Sequence, residues 1–271
     1  MSHPYPHALG RRVEHDPRSL SFAVGVLPRS AIQSVWWTRR IPILDQGNLG
    51  SCVGNAITGI LGTDAAGRTG YTNVTITQEF SIKTNGIFVA GTYKIDEQFA
   101  IKLYSLATAV DEFAGAYPPT DTGSSGVGGS KALQTLGLCP TYQWAFSMAA
   151  LQSALMLGPV AIGIPWYESM FSPSADGRVR IDRSSPPVGG HELEITKMDL
   201  TADQYWFANS WGESWGRSGW GYFTYTDLST LLAEEGDVVS PKIVTPAPVP
   251  AVTDAQLWNT AKLWAAGKGL T

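Results

Sequence analysis

Residues 45–62 read DQGNLGSCVGNAITGILG. A turn-rich run from Ile41 to Gly50 gives way to a helix pattern at Ser51. Val53, Ala56, Ile57, Ile60 and Leu61 fall at three- and four-residue spacing and so share one face. Gly54 and Gly59 each cost about 1 kcal/mol of helix propensity. Their small size instead permits close packing, which predicts a helix buried between other elements. Cys52 stands at its start. A thiol is a weak nucleophile until it ionises, and a helix N-terminus or a neighbouring imidazolium favours the anion. Taken alone, a free cysteine is more often a small buried hydrophobe.

A base for that thiol is sought among four histidines. His3, His7 and His15 lie in the N-terminal arm, at spacings that fit no common metal site. His191 is the one histidine in the body of the chain. It follows Gly189-Gly190 and opens an apparent strand, HELEITKM, where a side chain is held rigidly at the rim of a sheet. Asn209 lies in YWFANSWGESWGRSGWGYF, residues 205–223. Its amide can hydrogen-bond an imidazole and fix tautomer and plane, as a carboxylate does in a serine triad. Trp211 and Trp215 would cover that bond. Each residue alone also has a structural reading: a satisfied core histidine, and an asparagine in a glycine-rich turn.

The composition bounds the rest. The chain has 271 residues, 44% of them apolar, which can fill a sizeable core. With 19 basic and 23 acidic residues and a net charge of −4, nothing favours nucleic acid or an anionic membrane. No apolar run approaches the roughly 18 residues of a membrane span. The N-terminus is polar and shows no secretory signal. Two cysteines, Cys52 and Cys139, make no disulfide framework. Cys139, in LGLCP, is expected to be unpaired and structural. A cytoplasmic or virion-associated setting fits these features.

Along the chain, helices are expected at 98–114, 132–137 and 149–157, and a glycine-rich loop at 120–130. Strands are expected at 160–164, 192–198, 205–207 and 221–225. Helices first and strands later predict an α+β protein with two unlike halves. The boundaries read as an irregular N-terminal arm (1–40), a helical half (41–146), a β-rich half (147–240), and a proline-rich linker with an amphipathic helix (241–271). In that last segment PKIVTPAPVPA holds four prolines. Leu257, Trp258, Ala261, Trp264 and Ala265 then form one apolar stripe, which would dock on a protein partner or pack back on its own domain.

Together DQGNLGSCVGNA, GGHELEITKMD and the Asn209 segment resemble the papain family of cysteine peptidases, over about residues 26–226. His191 lies 139 residues beyond Cys52, inside the roughly 130–150 expected of that family, and Asn209 slightly beyond it. The resemblance implies a papain-like fold with the site in the cleft between halves. It implies peptide or protein substrates, a thioester at Cys52, and no metal or organic cofactor. It places Gln46, six residues before Cys52, in the oxyanion hole, and makes DTGSSGVGG a substrate-binding loop through Gly123, Ser124 and Ser125. Gly190, Trp211 and Trp215 would flank the substrate.

Val53 departs from the family's usual aromatic, and Leu49 from a disulfide cysteine. The short stretch before Cys52 looks like the bacterial and phage branch. Glu192 stands where the family has a small apolar residue bordering the main specificity pocket. Gly163 would widen that pocket, so a basic or polar side chain is expected there. Otherwise Glu192 turns away and pairs with a base such as Lys197. The alternatives to a peptidase are a non-catalytic structural or binding protein on this fold, for example a virion component, and a thiol acyltransferase.

Overall fold

The computed structural model describes residues 5–14, 17–184 and 186–244. After a short strand β1 (Val35–Trp36) come α1 (Cys52–Gly62), β2 (Asn73–Ile76), α2 (Gln78–Lys83) and β3 (Gly91–Lys94). Then follow α3 (Glu97–Val110), α4 (Gly126–Thr135), β4 (Thr141–Trp144) and α5 (Met148–Leu155). The chain continues with β5 (Val160–Trp166), β6 (Gly189–Asp199), β7 (Gln204–Ala208) and β8 (Trp220–Phe223). It closes with α6 (Tyr225–Ala233) and β9 (Asp237–Lys242).

Side-chain caps set several helix starts by occupying backbone N–H groups that have no helical partner. Asp96 accepts from Gln98 and Phe99 at α3, Ser125 from Gly128 at α4, and Ser147 from Ala150 at α5. Thr224 and Asp227 cap α6 reciprocally. Among the described residues one sheet has seven strands in the order β4-β9-β5-β6-β7-β8, with β1 added to β6, and β2 and β3 form a separate pair. Neighbouring strands of the large sheet pair antiparallel. β5 is flanked on both sides, and every residue of VAIGIPW is buried.

Two apolar clusters result. One joins α5 and α6 to the sheet through Leu151, Leu228, Ile162, Trp166, Phe207 and Phe223. The other joins α1, α3 and α4 through Ile57, Leu61, Phe99, Leu103 and Leu133, and reaches Ala161 and Val239 of the sheet. Helix α1, part of this second cluster, packs against β6 with all eleven residues buried. Its glycines sit where neighbours crowd it. A Cβ on Gly54 would come within 2.4 Å of the Ala100 carbonyl oxygen, and one on Gly59 within 2.3 Å of a Glu194 carboxylate oxygen. Beneath α1, Arg39 and Glu194 form a buried ion pair. The α+β architecture expected from sequence is the one present.

Three local expectations differ. The stretch read as an irregular arm contains β1, whose Val35 and Trp36 pair with Met198 and Lys197. The 120–130 segment is loop only to Ser125, because the Ser125 hydroxyl caps a helix through GVGGS despite its glycines. Pro241 and Lys242, read as the start of a linker, belong to β9, where Pro241 pairs with Tyr142 of β4. The short elements β2, α2, β3, α6 and β9 were not legible as such. The apolar stripe 257–265 lies outside the described residues.

Candidate active site

Cys52 is the first residue of α1 and is fully buried. His191 stands in β6 opposite Ile164 of β5. Asn209 follows β7 directly, its N–H bonded to the Gly219 carbonyl at 3.0 Å. The Asn209 Oδ1 lies 2.8 Å from His191 Nε2 and also accepts the Ser210 N–H at 2.8 Å. That second bond fixes which end of the amide is oxygen. Nε2–H therefore donates, and a neutral ring carries its lone pair on Nδ1. Nδ1 is buried with no hydrogen-bond partner. Trp211 stacks on the imidazole at 4.4 Å and Trp166 meets it edge-on at 4.9 Å. Trp215 lies one ring further out, against Trp211 and Trp166, with its Nε1 donating to the Phe171 carbonyl.

Gln46 is tied to the same loop. Its backbone N–H donates to the Ser210 carbonyl at 2.9 Å and its Oε1 accepts the Ser210 hydroxyl at 2.5 Å. This leaves Nε2 as donor, to the Leu49 carbonyl at 2.7 Å and to the Ala8 carbonyl at 3.3 Å. The second acceptor belongs to the N-terminal arm.

The arm fills the cleft. His7 stacks on Trp211 at 4.5 Å. Arg11 N–H donates to the Gly190 carbonyl at 3.0 Å, and residues 10–12 bridge Ser124 in parallel, with Ser124 N–H to Gly10 and Arg12 N–H to Ser124. Gly10 approaches so closely that a Cβ on it would overlap the Gly50 carbonyl. The cleft is therefore closed rather than open to solvent: Cys52 and His191 are both 0% exposed, with residues 7–12 laid over the site. Burial pushes the Cys52 thiol up to about 12, against hydrogen bonds from the backbone of Glu192, Gly10 and Val53 that favour the thiolate. Burial likewise lowers His191 to about 3; the Asn209 bond opposes this and the His7 charge adds to it. With the arm in place, burial favours the neutral thiol and the neutral imidazole.

The remaining residues divide clearly. Gly123 (φ +68°), Ser124 and Gly190 lie against the arm backbone. Ser125 caps α4 and donates to Glu14 of the arm at 2.5 Å. Glu192 does not pair with Lys197, which bridges to Asp199 at 3.7 Å. It is buried beside Gly163, and neither carboxylate oxygen has a hydrogen-bond partner. Burial first, then the Asp237 charge, raise its pKa, while Arg11 lowers it. Sequence reasoning missed Arg11, which forms a buried ion pair with Asp237, and Ser210. No motif marks Arg11 or Asp237. Ser210 could have been found as the neighbour of Asn209. Cys52 and Cys139 are both unpaired thiols. Among the described residues no group of three or more His, Cys, Asp or Glu side chains could hold a metal ion, and no helix is long and apolar enough to cross a membrane.

A sequence profile described as papain family cysteine protease matches residues 36–235. No curated protein matches the sequence. Among solved structures, xylellain, a cysteine protease from Xylella fastidiosa, superposes with a TM-score of 0.54 at 17% identity, covering 90% of this chain and 99% of its own. The proform of the ragweed pollen cysteine protease Amb a 11 gives 0.52 at 16% identity over 91% of this chain and 68% of that one. Digestive procathepsin L2 from Tenebrio molitor larval midgut gives 0.52 at 12%, over 88% and 78%. At these identities the likeness is one of fold.

Proposed function

We propose how this chain, which belongs to the papain family of cysteine proteases and is therefore a hydrolase of peptide bonds, performs its chemistry: Cys52 is the nucleophile, His191 its base and acid, Asn209 the positioning residue, and Gln46 an oxyanion donor. The observation that carries this reading is the 2.8 Å contact between His191 Nε2 and Asn209 Oδ1, which leaves Nδ1 as the proton acceptor. Helix α1, which begins with Cys52, packs on β6, which carries His191, and this supports placing the thiol and the imidazole in one site.

Once a substrate replaces the arm, Nδ1 takes the thiol proton and the sulfur attacks the peptide carbonyl carbon. The carbonyl oxygen becomes an oxyanion held by Gln46 Nε2, which now binds the Ala8 carbonyl. Collapse breaks the C–N bond, and the imidazolium gives its proton to the leaving amine. A water deprotonated by His191 then hydrolyses the thioester and restores the thiol. The Asn209 bond keeps the ring in one plane through both proton transfers.

Peptide or protein substrates follow from the family. The apolar stripe Leu257, Trp258, Ala261, Trp264 and Ala265 is proposed to dock a protein partner. Deleting 252–271 should impair association and spare peptidase activity; unfolding of the body instead would assign the stripe to intramolecular packing. The chemistry is tested with a thiol-reactive active-site probe and mass spectrometry of products. Labelling at Cys52 and two hydrolysed fragments are expected, with both lost in Cys52→Ala. Labelling with products joined to an added amine would assign acyl transfer. Unchanged cleavage in Cys52→Ala would overturn the assignment.

A further inference from the structure

Three neighbouring strands bring one row of residues together. Gly163 of β5 is in register with Glu192 of β6 on one side and with Asp237 of β9 on the other. Residues in register point to the same face of a sheet. The row therefore carries an acid, a gap and an acid. Glu192 and Asp237 are both buried. The gap is filled from outside by the arm. A Cβ on Gly163 would come within 2.6 Å of Arg11 Nε, 2.6 Å of a Glu192 carboxylate oxygen and 3.1 Å of an Asp237 carboxylate oxygen. Any larger residue at 163 would close the slot that the guanidinium occupies.

Arg11 is 6% exposed. Its Nη2 donates to the Asp237 carboxylate and, at 2.6 Å, to the Glu235 carbonyl. Nη2 thus meets two acceptors on β9 and the turn before it while Nε lies over Gly163, so the slot is filled by the breadth of the planar guanidinium. Burying a charge without a partner is expensive, so a pocket of this kind discriminates strongly against side chains that leave its acid unmet. The arm backbone beside Arg11 bonds Gly190 and Ser124, and its preceding residues lie at Gly50 and Gln46. The pocket is thereby contiguous with the site.

We propose that Asp237 is a specificity-determining residue that, with Glu192 and the gap at Gly163, forms a subsite for an arginine side chain of the substrate, and that Arg11 of the chain's own arm fills this subsite in the resting state. The proposal rests on the peptidase reading above. Glu192, without a hydrogen-bond partner, shapes the wall; the ion pair is with Asp237. Selectivity and latency then share one contact. Whatever unseats Arg11 opens both the nucleophile and the pocket.

The test uses the full chain and two readouts. Iodoacetamide should alkylate Cys52 about 10- to 100-fold faster in Arg11→Ala than in the unaltered chain, because the anchor of the arm is a buried charge pair. A synthetic peptide of residues 5–14 should restore protection, and the same peptide carrying Arg11→Leu should not. This readout needs no catalysis. In a positional peptide library, Arg11→Ala should select arginine over leucine at one subsite, and Asp237→Asn added to it should reduce that ratio about tenfold or more. Preference for leucine or phenylalanine, unchanged by Asp237→Asn, overturns the proposal while leaving the peptidase reading intact. Equal protection by both peptides overturns it as well. Protection as expected with no peptide cleaved overturns the peptidase reading, and the substrate assignment with it. Should Arg11→Ala fail to fold, Asp237→Asn alone must unseat the arm and speed alkylation; unchanged alkylation in it overturns the proposal.

Discussion

The indole of Trp211 lies over the imidazole of His191, with ring centroids 4.4 Å apart and planes 22° from parallel. Together with Trp166 at the ring edge it closes the His191–Asn209 hydrogen bond away from water. In such surroundings a hydrogen bond is stronger than in solvent, and losing one partner leaves the other unsatisfied.

Asn209→Ala should therefore lower kcat more than it raises KM. A hydrogen bond to a charged group is worth about 1.5–3 kcal/mol, which corresponds to a loss of roughly 10- to 150-fold in rate. Steady-state kinetics against the otherwise identical active chain measures it. A loss confined to KM would mean that Asn209 shapes substrate binding rather than the imidazole.

Gln46→Ala removes the proposed oxyanion donor. The expected fall in kcat is on the order of 100- to 1000-fold. Ser210→Ala should give a smaller fall, since the hydroxyl acts only by holding Gln46 Oε1 at 2.5 Å. Comparable kcat in all three chains would remove Gln46 from the mechanism.

Gly54→Ala sets two effects against each other. Helix propensity favours alanine by about 1 kcal/mol. The added Cβ would meet the Ala100 carbonyl oxygen at 2.4 Å and the Tyr104 backbone N at 2.9 Å, so α1 must move from α3. Overpacking costs about 1–3 kcal/mol, so net destabilisation is expected, read as a lower urea midpoint. A raised midpoint would show that the helices separate at little cost.

Acid should weaken the arm-closed fold through His191. Its pKa is lowered to about 3 from the ordinary value of 6.5. Above 6.5 the ring is neutral both folded and unfolded and contributes nothing to the pH dependence. As pH falls from 6.5 towards 3 only the unfolded chain takes up the proton, so stability is lost by up to about 1.4 kcal/mol per pH unit. Glu192 and Glu194, raised mainly by burial, act in the opposite sense over their own range. The difference between the native chain and His191→Gln isolates the histidine. The native chain should lose stability relative to the variant between pH 6.5 and 4.5, by urea unfolding at each pH. A constant difference would mean that the ring takes up its proton equally in the folded and the unfolded chain.

Much of this protein was written locally. The buried helix at Cys52 was legible because its apolar residues repeat with the helical period, and the strands at His191 and before Asn209 because apolar β-branched and aromatic residues cluster there. The short elements were harder. α4 runs through GVGGS because the Ser125 hydroxyl caps it, which outweighs the weak helix propensity of its glycines. β9 contains a proline yet closes the sheet between β4 and β5.

The sequence by itself determined the helix that presents the thiol, the strand that carries the imidazole, and the order and spacing of the three motifs, since each depends on residues within a few positions of one another. Tertiary structure alone decided that Glu192, Gly163 and Asp237 form one row, because the register of β6, β5 and β9 is set by pairing between segments far apart in the chain. It alone decided that Arg11 enters that row, where a buried guanidinium is stable only beside a carboxylate that the fold has already placed.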